Sequence, residues 1–217
     1  MDPMELIKER HSVRQYENHP IEKEKREALD ALIAEINRKA GLHIQAVYNE
    51  PNCFDSRVAR YGLFSGVQNY LALVGLKSSS LDETVGYYGE QLVLKAQELG
   101  LNTCWVGLTH GKSKAEIGPG EKQVCLITLG YGATSGKSHK TKSLQDVSNY
   151  QEGMPEWFLH GVEAALLAPT AVNQQKFRFE LQPNGEVKAT HGRGFYAKVD
   201  LGIVKYHFEI GSGRKLK

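Results

Sequence analysis

GYYGEQLVLKAQELGLNTCWVGL, residues 86–108, is the stretch on which the fold class turns. Val85, Tyr88, Leu92, Val93, Ala96 and Leu99 recur at helical spacing and form one broad apolar face, so a helix is predicted over Thr84–Leu99. Ser80 and Glu83 stand before it as a capping pair, and Gly100 ends it. TCWVGL (103–108) follows as a short apolar strand. Core packing accounts for most of this stretch, but Gly107 marks a point where the backbone comes close to something.

The same alternation of helix and strand extends in both directions. Asp2, Pro3 and Glu5 open a first short helix that carries Met4, Leu6 and Ile7 up to Arg10. Pro20 opens a second, in which Leu29, Leu32, Ile33, Ile36 and Ala40 repeat before Gly41 stops it. HIQAVY (43–48) alternates like a strand, and YLALVGLKSS (70–79) reads as a central one. VCLITLGYG (124–132) is a further strand, followed by a polar, basic linker over 133–150. PEWFLHGVEAALLAP (155–169) is a helix, KFRFEL (176–181) a strand and Asn184–Gly185 a turn. A last helix spans Tyr196–Ile210, with Val199, Ile203, Tyr206, Phe208 and Ile210 as its apolar positions. Helix, turn, strand and helix thus recur after the linker. Residues 20–100 and 155–210 read either as diverged halves of a duplication or as a likeness of architecture only; the corresponding division of the chain is 1–150 and 151–217.

Composition narrows the function. The chain has 217 residues, 41% of them apolar and 24% charged, with a formal charge of +2. Its 27 basic residues are dispersed, which argues against a nucleic-acid partner. No apolar run approaches the ~20 residues of a membrane span, and the first residues lack a signal-peptide pattern. Cys53, Cys104 and Cys125 show no CxxC spacing, so neither a disulfide framework nor a zinc site is indicated and a cytoplasmic, reducing location is expected. Cys104 and Cys125 lie in apolar runs and read as core fillers. The histidines show no metal-ligand spacing, and no metal is expected.

GYGATSGKSHK (130–140) invites a phosphate-loop reading through Gly136–Lys137–Ser138. That motif requires four residues between its first glycine and the Gly-Lys pair, which puts the glycine at the position held by Tyr131, and no apolar helix pattern follows. No GxSxG occurs and no GxGxxG follows a strand. Two other segments hold more. RHSVR (10–14) is a solvated helix end or, alternatively, a cationic cluster in which Arg10 and Arg14 flank a hydroxyl, a set suited to a phosphate and a pyrimidinedione. APTAVNQQKFRF (168–179) is a plain helix stop or, alternatively, a source of amides that both donate and accept, at Asn173 and Gln175. Lys140 and Lys142, in KTKSL, form a second basic pair.

In content and order, RHSVR, GLNTCWVG, LGYG and KTKSL resemble the nitroreductase family, over roughly Met4 to Leu144. APTAVNQQKFRF is similar to a polar segment that in the family follows soon after the first motif; here it lies near the C-terminus, and AEINRKAGLHIQAV (34–47) lacks the pattern. The resemblance implies an α+β fold, a central and mostly antiparallel sheet flanked by helices. It implies FMN as cofactor and NAD(P)H as reductant, with an electron-poor small molecule, a nitroaromatic or a quinone, as acceptor. Arg10, His11 and Ser12 would take the phosphate end together with Lys140 and Lys142. Arg14 would face the N1–C2 edge, and the amides of Val106 and Gly107 would face O4 and N5. Thr170, Asn173 and Gln175 would meet the ring or ribityl chain from the other side. No side chain would serve as catalytic acid or base: positioning and electronic tuning are the protein's part. Family members place the flavin at a homodimer interface, so the tandem arrangement implies either a monomer of pseudo-dimeric architecture or a homodimer. The alternatives are a flavin-binding protein without reductase turnover and a nucleotide-binding module built on Gly136–Lys137–Ser138.

Overall fold

The computed structural model describes residues 2–216. Its helices are α1 (Pro3–Glu9), α2 (Lys23–Ala40), α3 (Arg57–Tyr61), α4 (Leu81–Glu98), α5 (Leu144–Val147), α6 (Glu156–Leu166) and α7 (Ala197–Ser212). Its strands are β1 (Gln45–Val47), β2 (Asn69–Leu76), β3 (Asn102–Val106), β4 (Glu121–Gly130), β5 (Phe177–Leu181) and β6 (Val187–His191). The chain forms two compact units, each assembled from separated stretches. One comprises residues 10–81 and 92–138. The other comprises residues 2–9, 82–91 and 139–216. The division at 150/151 read from the sequence falls inside the second of these.

The first unit is built on a four-stranded sheet of order β1-β2-β4-β3, antiparallel at every pairing. β2 is buried from Asn69 through Gly75, which is why it reads as a continuous apolar run rather than as an alternation. α2 ends at Gly41, whose φ of 62° reverses the chain. It is then locked to the strand entrance by Asn37, which exchanges two 2.8 Å bonds with the backbone of Ile44. Val13, Tyr16, Phe54, Phe64, Tyr70, Cys104 and Leu126 share one apolar core.

The second unit packs α6 against α7 and covers them with the β5–β6 hairpin. Phe208 stacks on Phe179 at 4.6 Å and meets Phe158 edge-on. The first half of α4 crosses α7 with the backbones in near contact. A Cβ on Gly86 would fall 2.0 Å from the carbonyl oxygen of Val199, and one on Gly202 the same distance from that of Glu83. Those two glycines are therefore a packing requirement.

Three local expectations need correction. α4 starts at Leu81, and Ser80 has helical backbone angles (φ −96°, ψ −13°), from which its side chain makes no capping bond. The linker 133–150 contains α5, begun by a full capping box between Ser143 and Asp146, and then pairs Ser148 with Phe179. β6 went unread because VKATH carries few apolar residues for alternation to show.

Candidate functional site

RHSVR is not a helix end. α1 stops at Glu9 and the chain becomes extended, so that Ser12 pairs with Thr103 in a parallel bridge and the Val13 amide donates to the Thr103 carbonyl at 3.0 Å. Gln15 and Tyr16 continue the pairing with Ser65 and Gly132. The motif thus runs beside β3 and in the same direction. Arg10 to Ser12 lie at the start of that strand, and beyond Val13 the chain leaves it: the Arg14 carbonyl accepts from the Ser65 amide at 3.0 Å. Val106 and Gly107 lie at its far end, roughly 10 and 13 Å from Thr103 at strand rise. Val106 is buried and Gly107 half-buried.

Arg10 is buried, His11 and Ser12 are half-buried, and Arg14 is exposed with its guanidinium 5.9 Å over the ring of Phe64. Cys104 reports the field they create. Burial pushes its thiol up, while Arg14, a hydrogen bond from Ser12 and Arg10 pull it back down. Tyr16 fixes the floor of this region: its hydroxyl donates to the Val13 carbonyl at 2.8 Å and contacts Thr128 Oγ1 at 2.7 Å. The loop that imitates a phosphate loop has a different use. Gly136 (φ 73°) lies against the motif so closely that a Cβ would stand 2.7 Å from Cβ of His11 and 3.0 Å from the Ser12 carbonyl oxygen.

The other expected residues gather in the second unit. Gln175 is buried and binds the 140–142 stretch at three points. Its Nε2 donates to the Lys140 carbonyl (2.8 Å), its Oε1 accepts from the Lys142 amide (2.9 Å), and its own carbonyl accepts from Lys142 Nζ (3.0 Å). Asn173 Nδ2 donates to the same Lys140 carbonyl at 2.9 Å, and Thr170 Oγ1 accepts from the Gln175 amide at 3.1 Å. Lys140, Lys142, Thr170, Asn173 and Gln175 therefore form one hydrogen-bonded knot, in which the amide groups read as flavin contacts bind the backbone of the basic pair. The turn that allows this is unusual: Val172, Asn173 and Gln175 all have φ between 45° and 53°, a region costly for side-chain-bearing residues.

Sequence reading missed the clamp on that turn. Asp200, buried on α7, accepts from the Ala171 amide through Oδ1 (2.9 Å) and from Gln174 Nε2 through Oδ2 (2.7 Å). Burial drives its carboxyl up to about 6, against the pull of those two bonds. A lone aspartate four residues into a helix, among apolar positions, was the available signal.

Solved structures share this architecture. A protein described as "putative nitroreductase" from Thermotoga maritima MSB8 matches with a TM-score of 0.72 and 23% identity, over 97% of this chain and 83% of that one. The nitroreductase family protein of Streptococcus pneumoniae TIGR4 matches at 0.54 and 15% identity, over 68% and 99%. A "putative nitroreductase" in complex with FMN, from Desulfovibrio desulfuricans, matches at 0.53 and 16%, over 71% and 99%. No curated protein matches the chain. The fold is thus the nitroreductase fold, mixed α and antiparallel β. The family model described as "Putative TM nitroreductase" matches residues 2–212, and the chain belongs to that nitroreductase family. Among the described residues, no helix is long and apolar enough to cross a membrane.

Proposed function

We propose that the protein is an FMN-dependent oxidoreductase that passes reducing equivalents from NAD(P)H to an electron-poor small molecule such as a nitroaromatic or a quinone. The observation that carries this reading is the parallel bridge between Ser12 and Thr103. With Arg10 and Ser12 at the start of β3 and Val106 and Gly107 at its end, a cation and a hydroxyl lie at one end of the strand and backbone amides at the other, and Arg14 follows two residues after Ser12 in sequence. That is the order in which an elongated ligand with an anionic phosphate at one end and a flat polar ring at the other would need them. The donor chemistry fits FMN: guanidinium groups and a hydroxyl for phosphate, and a cation for the ring edge that gains negative charge on reduction. Family membership and the FMN complex of the Desulfovibrio relative add support.

When bound, FMN supplies two-electron transfer between NAD(P)H and the acceptor. The chain's own residues bind and orient. Arg10, His11 and Ser12 hold the phosphate end, and Arg14 sets charge against the pyrimidine edge. The backbone at the end of β3, at Val106 and Gly107, would present amides to O4 and N5 of the ring. The knot of Lys140, Lys142, Thr170, Asn173 and Gln175 keeps a basic segment in a fixed conformation.

The test is the visible spectrum of the purified protein, with identification of the heat-released cofactor. Yellow protein releasing FMN in equimolar amount, bleached by NADH or NADPH without oxygen and recoloured by a quinone, is the expected result. Colourless protein that takes up no added FMN would sink the reading.

A further inference from the structure

The turn at Asn184–Gly185, strand β6, the start of α6 and the end of α7 enclose a cleft of about 640 Å3. Lys188, Lys205, Arg214 and Lys215 line it, opposed by a single acidic lining residue, Glu186. Trp157 and Phe208 supply its apolar wall. None of these residues takes part in the site described above.

The cationic wall is built, not left loose. Gly213 (φ 66°) turns the chain back after α7, and the buried carboxylate of Glu209 pins the segment that follows. Glu209 accepts from the Leu216 amide at 2.9 Å, from Lys215 Nζ at 2.6 Å and from the Tyr87 hydroxyl at 2.6 Å. Lys205 is held from behind by Glu83. The Arg214 guanidinium thereby lies 4.2 Å over the indole of Trp157. Lys205 and Lys215 are thus neutralised by carboxylates, whereas Lys188 and Arg214 have no acidic partner among the described residues.

We propose that this cleft is a second binding site, for a nucleoside phosphate, with the phosphate against Lys188 and Arg214 and the flat base against the Trp157–Arg214 stack. Two uncompensated cations suit a dianion, and guanidinium is the side chain best matched to phosphate oxygens. A guanidinium laid on an indole presents a planar surface on which a base stacks. The volume lies within the range of roughly 300–1,000 Å3 usual for small-ligand sites. Nothing in this assignment depends on the FMN reading.

The test is calorimetric titration of the full chain with AMP, adenosine and inorganic phosphate, with flavin absorbance recorded throughout. AMP is expected to bind saturably and more tightly than either fragment. Lys188→Ala should weaken it about tenfold, the size of one charged hydrogen bond, without moving the melting temperature, because Lys188 is exposed and unpaired. Binding should also change tryptophan emission, and Trp157→Phe should abolish that change although Trp105 remains. Absence of AMP binding, equal affinity for AMP and inorganic phosphate, or unchanged affinity in both Lys188→Ala and Arg214→Ala would overturn the proposal. A flavin spectrum that stays constant during the titration keeps this outcome separate from that of the FMN site.

Discussion

Nε2 of His207 lies 2.9 Å from Oε1 of Glu90, with neither side chain exposed to solvent, and Nδ1 lies 3.1 Å from the carbonyl oxygen of Ala164. The ring is thus held at both of its nitrogens by oxygen atoms. One side chain thereby ties α7 to α6 and to the first half of α4, the three helices on which the second unit is built.

Replacing His207 by Leu should therefore be among the most damaging single changes in this unit. It leaves the Glu90 carboxylate buried without its imidazole, a loss expected to cost about 3–5 kcal/mol. The double variant His207→Leu/Glu90→Leu should recover part of it, since two apolar side chains need no compensation. Urea denaturation followed by circular dichroism measures both. A double variant no more stable than His207→Leu would contradict the account.

Gln175→Ala should release the stretch around Lys140–Lys142. Three of the bonds that hold it involve Gln175, two of them through its side chain, and a buried amide lost this way leaves partners unsatisfied at roughly 1–3 kcal/mol. Hydrogen exchange at the Lys142 amide is the direct readout and should accelerate by about five- to hundredfold by the same energy. Asn173→Ala removes one bond to the Lys140 carbonyl and one accepted from Gln175 Nε2, but leaves the bonds of Gln175 to the stretch in place, so it should have a smaller effect.

The sequence made the architecture legible where physics is local. The apolar run of β2, the helical period of α2 and α4 and the glycines that end helices all reappear as read. What it concealed depends on partners far along the chain. RHSVR was visible as a cationic cluster, but its extended path beside β3 rests on a bridge to Thr103, some 90 residues away. Asn173 and Gln175 were visible as amides in a turn, yet their bonds run to Lys140 and Lys142, which composition presented as solvated linker. The left-handed backbone at Val172, a β-branched residue, has no local signature at all, since a distant carboxylate, Asp200, holds the turn.

Asp200 predicts a pH dependence of defined sign. Its folded value, about 6, lies above the ordinary aspartate value of 3.8. Between those limits the native state binds more protons than the unfolded one, so the group's contribution is fully present below pH 4 and is lost as pH rises through 6. With two units of separation, the loss is roughly 2–3 kcal/mol. Asp200→Asn removes this slope. The stability of the wild type relative to Asp200→Asn should therefore be greater at pH 4 than at pH 7. Equal differences at the two values would show that the carboxyl titrates as if unfolded.

The last prediction separates the basic set beside β3 from the loop that resembles a phosphate loop. If Arg14 faces the pyrimidine edge of FMN, Arg14→Ala should weaken FMN binding by about ten- to hundredfold, the value of one charged hydrogen bond at roughly 1.5–3 kcal/mol. Arg14→Lys keeps the charge but loses the planar fork, so it should recover only part of the affinity. Arg14 is exposed and touches Phe64 only at 5.9 Å, so neither change should lower the melting temperature of the apoprotein appreciably. Lys137→Ala should leave FMN affinity unchanged, whereas a true phosphate loop would lose its central cation. Gly136→Val should be harmful for another reason: its left-handed φ of 73° and the 2.7 Å approach to His11 leave no room for a side chain, and the motif beneath must shift. Titration of apoprotein with FMN, followed by quenching of flavin fluorescence, ranks the four variants. A larger loss for Lys137→Ala than for Arg14→Ala would move the phosphate to the loop and remove RHSVR from the site.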